Sequence, residues 1–138
     1  MIRRMGPVAR LVTHVELRDD GRRAMSVSAR LEAVLEDGHR VTLLDDRGWT
    51  ESIGGGDPGG PGIWAGMSVA EIEETARAVV GPDEPFGDHT QADMERDHWA
   101  HLAGVLQAGG VAVDGDRLRS LPHEVVLDRR LLRRIGAR

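Results

Sequence analysis

From Met25 to Leu35 every odd position is apolar, and every even position from Ser26 to Glu32 is polar; Val34 alone breaks the alternation. Successive side chains of a strand point to opposite faces, so this pattern predicts a long strand with one buried face. Asp-Gly turn signals stand on both sides of it and make it the middle strand of an antiparallel meander. Before it, residues 8–18 carry Leu11, Thr13, Val15 and Leu17 on odd positions and Arg10, His14, Glu16 and Arg18 on even ones. Pairing must keep odd opposite odd, because a one-residue slip would turn the apolar stripe to the wrong face. A three-residue loop at Asp19-Asp20-Gly21 meets that condition, pairing Arg18 with Arg22 and setting His14 opposite Ser26. The same device at Glu36-Asp37-Gly38 pairs Leu35 with His39, Ala33 with Val41 and Leu31 with Leu43. In both loops the glycine takes the left-handed conformation of a G1-type bulge. Asp45-Asp46-Arg47-Gly48 reads as a further turn, leading into a short fourth strand over residues 49–53 in the longer version of the meander.

The period changes after residue 67. Ser68 and Glu71 form an S-x-x-E capping box, and Val69, Ile72, Ala76, Val79 and Val80 follow helical spacing until Gly81-Pro82. Thr90 with Asp93 marks a second helix start, with Ala92, Trp99, Leu102, Ala103 and Leu106 on one face and Gly109-Gly110 at its end. Asp114 caps a short helix, Pro122 breaks the pattern, and Asp128 caps a last helix to Ile135. The expected fold is therefore α+β: a three- or four-stranded antiparallel meander, a Gly-rich loop, then three or four helices on one sheet face. One domain over residues 1–138 accommodates it, with a meander half (8–53), a Gly/Pro-rich connector (54–67) and a helical half (68–138).

Composition narrows the chemistry. There is no cysteine, which removes thiolate nucleophiles, disulfides and Cys-ligated metals. All 18 basic residues are arginine, as codon usage in a GC-rich bacterial genome would produce, and without lysine there is no Schiff base and no P-loop. No apolar stretch follows the arginines near the N-terminus, and no apolar run approaches the ~18 residues of a membrane span, so the chain reads as cytoplasmic and without a membrane partner. The net charge of −5 argues against nucleic acid, whose binding rests on neutralising phosphates. Acidic residues crowd the stretch from Glu71 to Asp97 and arginines the stretch from Arg117 to Arg138, and the simplest arrangement has the two complement each other.

Three motifs invite a catalytic reading, and two fail at once. Gly54, Gly56 and Gly59 spell G-x-G-x-x-G, but Pro58 interrupts it and the helix begins only at Ser68, so no helix N-terminus meets a pyrophosphate. Gly66-Met67-Ser68-Val69-Ala70 lacks the last glycine and the preceding strand of a nucleophile elbow, and Ser68 serves as a cap. The third is Asp97-His98-Trp99-Ala100-His101. His98 and His101 lie on adjacent turns, and Asp97 reaches His101 at i+4. Asp97, His98 and His101 are thus the candidate metal ligands of a metal- or small-ligand-dependent enzyme. The competing reading has the histidines closing the seam between helix and sheet.

With no complete cofactor or catalytic motif, no cofactor is expected. The preferred reading is a small non-catalytic domain acting by protein–protein interaction or self-association, as regulatory or immunity-like accessory proteins do. Its candidate contact residues are Arg30 and Glu32, on the even face of the sheet, and Arg129, Arg130, Arg133 and Arg134 on an amphipathic last helix.

Overall fold

The computed structural model describes residues 6–19, 24–52 and 67–136. Its elements run β1 (Val8–Asp19), β2 (Ala24–Leu35), β3 (Arg40–Ser52), α1 (Val69–Val79), α2 (Gln91–Ala108), α3 (Gly115–Ser120), β4 (His123–Leu127) and α4 (Arg129–Arg134). The fold is α+β, a four-stranded mixed sheet in the order β3-β2-β1-β4 with four helices packed against it.

The odd-parity argument holds along the β1 side of β2 from Leu11 to Leu17. Val15 faces Ala29, Leu17 faces Val27 and Leu11 faces Ala33, and all of these are buried. The register expected between β1 and β2 is corrected, however: His14 faces Arg30, not Ser26. Sliding by four residues keeps odd opposite odd, so from Leu11 to Leu17 it changes no side chain's face, and it brings Leu11 up to Ala33; a register shift between Val8 and Arg10 then sets Val8 opposite Leu35. The Asp19-Asp20-Gly21 loop itself lies outside the described residues, as do the glycine loop and its G-x-G-x-x-G.

At the second turn the expected device is present. The Leu35 amide donates to the His39 carbonyl at 2.8 Å, the Gly38 amide donates to the Leu35 carbonyl at 3.0 Å, and Gly38 has φ +92°. Ala33 faces Val41 as expected, but Leu31 faces Leu44 rather than Leu43. Two register shifts there give β3 extra residues relative to β2. They also overturn the expected turn at Asp45–Gly48 and the separate strand after it: β3 bends and runs on through Trp49 to Ser52. The fourth strand of the sheet is instead β4, parallel to β1, in the stretch between Pro122 and Asp128 that the expected helical half included without assigning it an element.

Each helix starts on a side chain that accepts a backbone N–H. Ser68 accepts from Glu71 at 3.2 Å, and Thr90 and Asp93 form a reciprocal capping box. Asp114 accepts from Arg117 at 2.8 Å. Asp128 accepts from Leu131 at 2.6 Å with one oxygen and from Leu17 of β1 at 2.8 Å with the other, so one carboxylate both starts α4 and ties it to the sheet.

The helices cover the odd face in two patches. Leu102, Ala103, Leu106, Val111 and Leu118 meet Leu11, Leu31 and Leu35. Ile72, Ala76 and Leu131 meet Val15, Leu17, Met25 and Val27. Between α2 and α3 the backbones approach closely: a Cβ on Gly115 would stand 3.0 Å from the Ala100 nitrogen.

Candidate interaction surface

The even face of the sheet is the one the helices leave uncovered, and its organisation follows from cross-strand neighbours. Val34, the residue that broke the alternation, sits between Arg10 on β1 and Arg40 on β3 and is 4% exposed. Val12 lies between Glu32 and Glu124 and is 2% exposed. Long charged side chains bury apolar stems along apolar surface while their charged ends reach water, and such side chains flank both valines across the ladder. Arg10 and Glu124 pair at 3.5 Å over this strip.

Glu32 is the centre of the polar network. It is 6% exposed and accepts hydrogen bonds from His14, at 2.8 Å, and from Arg40, both diagonal neighbours across the ladder. Burial raises the Glu32 carboxyl, but the bonds and charges of His14 and Arg40 outweigh it and hold the group below its ordinary value of 4.5. It therefore stays ionised at neutral pH as an internal fixture of this face, not as an exposed contact. Arg30, next to it on β2, is exposed and has no ion-pair partner among the described residues. Beyond Arg30 lies an open hollow of about 330 Å³ lined by Glu16, Arg18, Ser28, Thr42 and Asp45 as well. Val126, at 41% exposure, lies on the other side of His14.

The other predicted contact residues are elsewhere. Arg129, Arg130, Arg133 and Arg134 belong to α4, whose Leu131 is buried against the odd face. The sheet itself separates them from Arg30 and Glu32, so the two groups do not form one surface. Arg119 and Glu95, paired at 2.9 Å, join the basic and acidic stretches as the charge pattern implied.

On α2, Asp97 and His101 are exposed, and Asp97 stands 3.8 Å from Arg96. His98 turns inward against Trp99, edge to face, and its ring bonds the Val80 backbone. Its Nε2 is buried with no partner among the described residues. No group of three His, Asp or Glu side chains among the described residues is placed to hold a metal ion, the predicted trio included.

Sequence reasoning missed His123. In β4 it bonds the buried Thr13 hydroxyl at 2.6 Å, which is how a threonine is accommodated in the apolar stripe. The β-branched pair Val125-Val126, in a run of five residues between Pro122 and Asp128 that is short for a helix, was the available signal. Burial pushes both His98 and His123 below their ordinary value of 6.5; repulsion from Arg77 adds to it at His123, and from Arg47 and His101 at His98. The sign of the pH effect follows. The unfolded chain takes up these protons more readily, so stability is full above about pH 6.5 and falls as pH drops below it toward the folded values. The urea midpoint should thus decline between about pH 7.5 and about pH 5.5, less steeply in His123→Asn. A flat midpoint across that range would rule the effect out.

No helix among the described residues is long and apolar enough to cross a membrane. The chain matches no family model, no curated protein and no solved structure.

Proposed function

We propose that this protein is a non-catalytic binding module that works by protein–protein contact, as a regulatory or immunity-like accessory protein does, with the uncovered sheet face as its contact surface. The observation behind this reading is the asymmetry of the sheet. The helices lie on one face, while the other combines a hydrogen-bonded charge network around Glu32, an exposed Val126 and an Arg30 with no ion-pair partner among the described residues. A preorganised polar face with an apolar margin costs little side-chain entropy on docking.

The charge on this face favours protein over nucleic acid. Arg10, Arg18, Arg30 and Arg40 are balanced by Glu16, Glu32, Asp45 and Glu124, which leaves no excess to neutralise phosphates.

Affinity capture from the source organism's lysate tests the proposal with two surface variants. Arg30→Glu with Val126→Asp should abolish recovery of a stoichiometric partner, whereas Arg129→Ala with Arg133→Ala should leave it intact. Loss only in the second variant, or no stoichiometric partner with the unaltered chain, would overturn it.

A further inference from the structure

We infer that the cleft between α1 and the far end of β2–β3 receives an arginine side chain presented by a partner polypeptide. This site lies on the helix side of the sheet and does not depend on the open face. Its floor is apolar: Met25 and Ile72 are buried, with Trp49 and Met67 half-buried beside them. Its rim is acidic. Glu51 from β3 and Glu71 and Glu74 from α1 surround the floor, and none has an ion-pair partner among the described residues.

The convergence of three carboxylates on one apolar floor marks the site. Carboxylates without an ion pair stand elsewhere on the surface, as at Glu84 and Asp88, but these three line one hollow with an apolar floor and have no cation beside them among the described residues. An occupant that suits both must carry an apolar stem and a positive end. The volume, about 270 Å³, lies at or below the ~300 Å³ lower end of pockets for whole small molecules, which suits a single side chain. Arginine fits better than lysine: its guanidinium is less strongly hydrated, stacks on an indole face and bonds carboxylates in pairs, while its methylenes cover methionine and isoleucine. The complementarity in charge comes from the rim and the affinity for the stem from the floor.

The test titrates the ¹⁵N-labelled full chain with the peptide acetyl-Leu-Arg-Leu-amide, following the Trp49 indole N–H and the amides of Met25, Met67 and Ile72. Saturable shifts confined to that cleft are expected. Replacing the peptide's arginine by citrulline, which keeps the shape and removes the charge, should weaken binding at least about tenfold. Glu51→Gln with Glu74→Gln should do the same, and Glu84→Gln with Asp88→Asn, an equal charge change on an exposed loop, should alter affinity less than about twofold. Equal binding of the citrulline peptide would overturn the inference in favour of a merely apolar groove. Equal weakening by the loop pair, shifts outside the cleft, or no saturable shift would also overturn it.

Discussion

Gly48→Ala is expected to lower stability by about 3 kcal/mol, read as a fall in the urea midpoint at unchanged slope. A Cβ built on Gly48 stands 2.4 Å from the Val27 carbonyl oxygen and 3.2 Å from the Ser28 Cα. Both obstacles are backbone atoms of β2, so no rotamer change relieves the clash. Either β3 moves away from β2, losing pairing on both sides of Ser28, or β2 leaves the helices above Val27 and Ala29. Gly38→Ala serves as the comparison. There the glycine has a positive φ but open space around it, and the cost should be about 1 kcal/mol. If the two variants lose the same amount, the close approach at Gly48 is not what requires glycine.

Gly48 also shows where the sequence could be read and where it could not. The residues Asp45 to Gly48 have turn chemistry, and taken locally they end a strand. In the folded chain β2 continues beside them, and a strand with a continuous partner absorbs extra residues as bulges instead of turning. The Glu36-Asp37-Gly38 turn was legible because both strands end there, so local chemistry and register coincide. Parity was equally legible on the first hairpin, yet it is blind to slides by an even number of residues, and it does not anticipate the shift between Val8 and Arg10 that sets Val8 opposite Leu35. The helix caps were readable throughout, since each depends on residues three apart in the chain.

The candidate site was legible in part for the same reason. Alternation named the even face and its residues Arg30 and Glu32. It could not say that Glu32 is buried, because the side chains it bonds, His14 and Arg40, come from two neighbouring strands rather than from residues close in sequence. Nor could it separate Arg30 from the α4 arginines, which belong to opposite sides of a sheet whose last strand had not been recognised. His98 and His101 illustrate the converse. Their spacing puts them on adjacent turns, but the helix rotates one inward and leaves the other in water.

Arg40→Met is expected to destabilise the protein by about 2 kcal/mol at neutral pH, through the carboxylate it abandons. Breaking a buried ion pair costs about 3–5 kcal/mol, and the half-exposed position of Arg40 reduces that figure. Methionine keeps the apolar cover over Val34, so the loss should report on charge. The pH dependence separates the two contributions. Because Glu32 sits below 4.5 in the folded protein, its ionised form contributes stability above that value, and the contribution disappears as pH falls through the lower folded value. Without Arg40 the folded value rises, so the variant's deficit should be largest at neutral pH and shrink in acid. Unfolding titrations of both proteins at about pH 7 and about pH 3.5 make the comparison. Adding Glu32→Gln to Arg40→Met should recover most of the loss at neutral pH, because the neutral amide needs no counter-charge. A deficit equal at both pH values and untouched by Glu32→Gln would mean that Arg40 acts as a roof over Val34. The open face would then owe its order to packing, and the charge network would follow from it.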